Sequence, residues 1–113
     1  MPERRLLLFN LRMDLDDPVL GFAVRWVNEL ATQYDAVDVL TMQAGRYEVP
    51  ANVRVFSVGR ERGYSEARRL LLFYARLLDL LRRHRYSACF AHMMPLFAAL
   101  GGPLLALRRV PLT

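Results

Sequence analysis

Tyr86-Ser-Ala-Cys-Phe-Ala-His-Met-Met-Pro95 is the stretch that decides the fold. Ser87 to Ala91 is a short, nearly continuous apolar run, the pattern of a parallel strand buried on both faces. His92 stands at its carboxyl end. Pro95 opens a helix where a missing amide costs nothing. Cys89, the chain's single cysteine, lies inside the run and reads as an inert core residue of a reducing compartment.

Upstream, strands and helices alternate. Arg5 to Asn10 is a second such run and gives the first strand. The loop after it carries Asp14, Asp16 and Asp17. Asp17-Pro18 is a helix start, a carboxylate to cap free amides and then a proline at the first position. Ala23, Trp26, Val27, Leu30 and Tyr34 share one face of the helix that follows. Ala36 to Thr41 and Val53 to Ser57 are the second and third strands. Gly59 to Gly63 is a basic turn holding Arg60 and Arg62. Ser65 caps the next helix, and Glu66 suits its first turn. Ala67, Leu70, Leu71, Tyr74, Leu77, Leu78 and Leu81 repeat along that helix at helical spacing, which places Leu72, Phe73 and Leu80 off the stripe. His84 and Arg85 close it. Downstream, Pro95 to Leu107 is apolar nearly all round, and Gly101-Gly102-Pro103 is expected to bend or split it. Val110 begins a fifth strand that the sequence leaves at Thr113.

Helices between parallel strands predict one α/β domain over residues 1–113: a doubly wound, mostly parallel open sheet of strand order 3-2-1-4-5, incomplete at its C-terminus. In that order strands one and four flank the topological switch point. Ligands bind there, above the carboxyl ends of the strands. The loops Asn10 to Gly21 and His92 to Pro95 leave those two ends.

Composition narrows the partners. Apolar residues make up 54% of the 113, which excludes a disordered chain. The net charge is +5, and all sixteen basic residues are arginine. Arginine grips phosphate and carboxylate bidentately, so anionic partners are favoured. The N-terminal apolar run stops at Asn10, too short for a signal-peptide core or a membrane span. A cytoplasmic protein is expected, with peripheral contact to the inner face of the cell membrane as the one membrane option. Nothing supports nucleic-acid binding beyond the charge: there is no recognition motif and no aromatic platform. A receiver-like domain needs an aspartate at the end of its third strand, where this chain has Ser57.

Three stretches, Leu6 to Ala31, Ala36 to Thr41 and Tyr86 to Leu105, together resemble the start of a retaining glycosyltransferase of family 4, with the two-domain GT-B architecture. Gly21 matches the second glycine of the family's first loop, and Leu20 stands where the first usually lies. His92 matches a histidine that often ends the fourth strand; Phe90 replaces its usual partner. The resemblance implies an N-terminal, acceptor-side, Rossmann-like domain whose C-terminal partner domain would bind the nucleotide-sugar donor. It implies transfer of a sugar to a glycan or lipid-linked acceptor, with the fragment inactive alone and holding no cofactor itself.

His92 is then the catalytic candidate, steadying charge at the anomeric centre; the competing role is a helix cap. Asn10, Asp14, Asp16, Gly21, Met93, Arg60 and Arg62 are candidates for acceptor and substrate contact. Asp17 reads better as a cap, and Asp14 and Asp16 have solvation as their competing role. No metal site is expected, because neighbouring loop carboxylates need not converge. Arg68, Arg69, Leu72, Phe73 and Arg76 are membrane-contact candidates on the basic helix, against a solvated basic face. The alternative function is a non-catalytic α/β domain that binds an anionic membrane or a protein partner.

Overall fold

The computed structural model describes residues 4–16, 22–92 and 94–112; the side chains of Phe22 and His92 also lie outside the description. The strands are β1 (Arg5–Met13), β2 (Ala36–Ala44), β3 (Val53–Ser57) and β4 (Ala88–His92), and the helices are α1 (Phe22–Ala31), α2 (Glu66–Arg83) and α3 (Pro95–Leu107). All strand pairs are parallel, in the order β3-β2-β1-β4. A single parallel bridge, Cys89 to Leu112, continues the order beyond β4, with the Cys89 amide donating to the Pro111 carbonyl at 2.7 Å. The doubly wound sheet is thus observed, with the expected fifth strand present as that one bridge.

The alternation of side chains along β1 sorts the core into two layers. Leu6 and Leu8 face α1 and pack with Val24, Val27, Ala31, Val37 and Val39. Leu7 and Phe9 face α2 and α3 and pack with Leu40, Phe73, Leu77, Phe97 and Leu105. Cys89 is fully buried in the second layer, and that burial pushes its thiol pKa well above the ordinary range.

Parallel pairing of β2 with β3 needs a return path, and the chain makes it without a helix. Residues 45–52 run back beside α1. Asn28 Nδ2 donates to the Glu48 carbonyl at 2.9 Å, and Asn52 Nδ2 donates to the carbonyls of Ala31 and Tyr34 at 3.0 and 3.3 Å. Asn52 therefore satisfies carbonyls that the end of α1 leaves open.

The expected core face of α2 is corrected. The buried residues are Phe73, Leu77, Leu80 and Leu81, whereas Leu70, Leu71 and Leu78 are exposed. Two apolar stripes compete on this helix, and aromatic volume decides between them. Phe73 stacks on Phe97 at 4.3 Å and meets Phe9 edge-on at 5.6 Å. Ser65 does cap α2, its hydroxyl accepting from the Arg68 amide at 3.2 Å. Helix α3 is not split: it runs unbroken through Gly101-Gly102-Pro103. Gly101 is instead a point of close approach, where a Cβ would stand 3.1 Å from Leu77 Cδ2 and 3.3 Å from Phe73 Cζ. The expected start of α1 at Asp17-Pro18 lies outside the described residues.

Candidate functional site at the carboxyl edge of the sheet

The parallel registers align four polar residues in one row across the sheet. Asn10 pairs with His92 on β4 and with Thr41 on β2, and Thr41 pairs with Ser57 on β3. The row crosses the switch point between β1 and β4, the place where open α/β sheets take ligands. β3 and β4 end at this row, whereas β1 and β2 run on to Met13 and Ala44.

The members of the row differ in how they are satisfied. Thr41 is buried, and its hydroxyl donates to the Gln43 carbonyl at 3.2 Å. Ser57 accepts from the Gly59 amide at 3.0 Å and donates to the Glu61 carboxylate. Asn10 is only 1% exposed, yet among the described residues neither its Nδ2 nor its Oδ1 has a hydrogen-bond partner. A buried amide left unpaired costs about 1–3 kcal/mol. It offers an NH2 donor group and a carbonyl acceptor to a ligand with complementary groups.

The β3 side of the row is rigid. The expected Gly59–Gly63 turn is present, with both glycines in the left-handed region, at φ 97° and 74°. Glu61 holds this turn to β2 by accepting from the Ala44 amide at 2.8 Å. Burial alone would raise the Glu61 pKa, but the Ser57 hydroxyl and the Ala44 amide hold it below the ordinary value. Arg62 lies beside Glu61 at 3.9 Å. The Arg62 guanidinium, and after it the charge of Arg68, lowers the Tyr64 pKa. Arg60 is exposed. Both arginines lie in the turn that follows β3, two strands away from Asn10.

Asp14 and Asp16 are committed to structure. Asp14 Oδ1 accepts from the amides of Asp16, at 3.0 Å, and Arg46, at 3.3 Å. Asp16 pairs with the Arg46 guanidinium at 2.9 Å, which lowers the Asp16 pKa. The two acids clip the β1 loop to the β2 loop, a contact across some thirty residues that inspection of the first loop alone does not reveal. Gly21, Met93 and Asp17 lie outside the described residues, as does the His92 side chain. The His92 backbone belongs to β4, in register with Asn10.

Among the membrane-contact candidates, Phe73 is corrected. It is fully buried, because its ring fills the centre of the aromatic cluster. Arg68 stacks over Tyr64 at 3.8 Å, Arg76 stacks over Phe56 at 4.5 Å, and Arg69 donates to the Tyr64 carbonyl at 2.7 Å. Leu72 is partly exposed. Among the described residues, no helix is long and apolar enough to cross a membrane. Also among them, no group of three or more His, Cys, Asp or Glu could hold a metal ion.

No protein-family model matches the chain, and no curated protein matches its sequence.

The sequence reading missed Thr41 and Ser57 as members of the row. Their signal is positional: each is the last hydroxyl before its strand gives way to a loop, at the level of Asn10.

Proposed function

We propose that the protein is the acceptor-side domain of a cytoplasmic, retaining glycosyltransferase that moves a sugar from a nucleotide-sugar to a glycan or lipid-linked acceptor. The reading rests on one observation: the buried Asn10 amide at the switch point, unpaired among the described residues and in register with His92. A sugar presents hydroxyls that both donate and accept, which is what such an amide lacks. In this reading Asn10 orients the sugar and His92 meets charge developing at the anomeric carbon. A C-terminal domain supplies the donor site. The sequence resemblance supplies the reaction class, and Asn10 supplies the physical need for a ligand.

The test is sugar transfer by the protein expressed together with whatever reading frame follows Thr113. His92→Ala should lower turnover at least about tenfold, and Asn10→Ala should raise KM for the acceptor sugar. Wild-type turnover in His92→Ala removes that residue from the mechanism. No transfer with any nucleotide-sugar, in a protein that carries a donor domain, removes the reading.

A second reading, a non-catalytic docking domain, draws on Leu70, Leu71 and Leu78, which lie exposed along α2. Sedimentation with anionic vesicles, lost in Leu71→Ser, would favour it. Indifference to vesicles would leave it without support.

A further inference from the structure

At the opposite end of the sheet from Asn10, α2 and α3 end side by side and enclose a second cleft. Its volume is about 480 Å³, and it is lined by Leu81, Tyr86, Leu107 and Val110 together with five arginines and His84. The arginines are Arg82, Arg83, Arg85, Arg108 and Arg109, and among the described residues no carboxylate lines the cleft. They arrive from two segments distant in sequence, Arg-Arg-His-Arg ahead of β4 and Arg-Arg behind α3.

Some of this charge is committed. Arg82 and Arg83 both reach Asp79, at 3.2 and 3.0 Å, on the exposed flank of α2. Arg108 donates to the Leu81 carbonyl and so fastens α3 to the last turn of α2. Tyr86 is held from below by Asp38. His84 Nε2 faces Arg54 Nη2 at 2.9 Å. A guanidinium can only donate, so that nitrogen accepts and the ring proton is assigned to Nδ1. By contrast, the side chains of Arg85 and Arg109 engage no partner among the described residues.

The backbone gives a second, independent observation. Among the described residues, Arg109 is the one non-glycine residue at positive φ, 56°. It closes α3: the Arg109 amide donates to Ala106 at 3.1 Å, and the Val110 amide donates to Leu105 at 2.9 Å. That is the helix-ending motif in which glycine normally takes the left-handed place. An arginine is held there at a conformational cost that glycine would avoid. Its backbone role needs no side chain, so the side chain's use lies elsewhere, and it sits in a cleft short of negative charge.

We propose that this cleft binds a small anion carrying phosphoryl groups, of pyrophosphate or phosphomonoester type, with Arg85 and Arg109 as its principal ligands. The volume suits two linked phosphoryl groups with room for a substituent, and paired guanidiniums match phosphoryl oxygens bidentately. The helix ends oppose an anion weakly through their carbonyls, and the full charges of Arg85 and Arg109 outweigh these partial ones. The site is separate from the carboxyl edge, so it stands or falls independently of the glycosyltransferase reading.

The test is calorimetric titration of the intact chain with inorganic pyrophosphate. Saturable binding of one pyrophosphate per chain is expected. Arg85→Ala and Arg109→Gly should each weaken it about tenfold or more, the usual effect of losing a charge-assisted hydrogen bond. Arg25→Ala, on the polar face of α1, should leave it unchanged. Arg109→Gly is the decisive variant because it should raise the thermal midpoint while it weakens binding, an outcome that damage to the fold cannot imitate. Vesicles containing phosphatidic acid separate the sources. Binding that pyrophosphate displaces and Arg109→Gly abolishes assigns the site to lipid head groups, and no vesicle binding assigns it to a soluble phosphate. The proposal is overturned by the absence of saturable pyrophosphate binding, by binding that Arg109→Gly leaves intact, or by an equal loss in Arg25→Ala.

Discussion

Asp38→Asn is the substitution whose effect the structure defines most closely. Asp38 lies in β2 with its side chain 0% exposed, a charge in the middle of an apolar strand. Three groups satisfy it: Arg5 Nη1 at 3.0 Å, Arg54 through Nε at 2.9 Å and Nη2 at 3.1 Å, and the Tyr86 hydroxyl at 2.6 Å. They come from the beginnings of β1 and β3 and the approach to β4, so one carboxylate ties all four strands at their amino ends. Losing one partner of a buried ion pair costs about 3–5 kcal/mol. Asparagine keeps an acceptor for Tyr86, and the half-exposed Arg54 regains water, which places the expected loss near the low end, about 3 kcal/mol. For a domain of this length an unfolding entropy of about 0.24 kcal/mol/K turns that loss into a fall of about 12 °C in Tm.

The pH dependence supplies an internal control. Burial alone would raise the Asp38 pKa, but hydrogen bonds from Arg54 and Tyr86 and the charges of Arg54 and Arg5 hold it below its ordinary 3.8. A carboxyl depressed in the folded state contributes stability that is fully present above the unfolded value. That stability is lost as pH falls through the folded value. Urea unfolding of both proteins should therefore show a constant difference from neutrality down to about pH 5 and a narrowing difference below about pH 4. A loss under about 0.5 kcal/mol at pH 7 would refute the ion-pair account, as would a difference that ignores acid.

Two further outcomes follow from burial. Asn10→Leu replaces an unpaired amide by an apolar group of the same branching and heavy-atom count, so it should stabilise the fold by about 1–2 kcal/mol in urea titrations while abolishing ligand binding at the carboxyl edge. Phe73→Ala should cost about 3–5 kcal/mol, whereas Leu71→Ala, at a residue 72% exposed, should stay within about 0.5 kcal/mol. Equal losses in the latter pair would restore the α2 face that periodicity alone suggests.

The strands were legible because each is a dense apolar run between polar loops. Val53–Ser57 and Pro95–Leu107 carry the bounds that the sequence indicates. The face of α2 was not legible, because leucines occur on both stripes and only the partners Phe9 and Phe97 choose between them. Asp38 was visible as a lone charge in Ala36 to Thr41, but its meaning required Arg5, Arg54 and Tyr86 to be brought together in space. The same holds for the basic cleft, whose two arginine segments are separated by β4 and α3. At the carboxyl edge, Asn10 was expected to end the first strand and Thr41 the second, whereas β1 and β2 run on to Met13 and Ala44. That the Asn10 amide is orphaned depends on neighbours no linear reading supplies.

The register of β1 also governs the order in which the molecule can be completed. Leu6 pairs with Val37 on one side and with Ala88 on the other. A chain emerging from the ribosome can join the first pair early, but the second edge of β1 must wait until residues 88–92 have been made. During that interval a row of backbone amides and carbonyls stays open to any passing strand. The seam that closes last is the one containing Asn10 and His92. Errors of late folding would therefore fall on the ligand seam while leaving the β1–β2 half of the sheet intact.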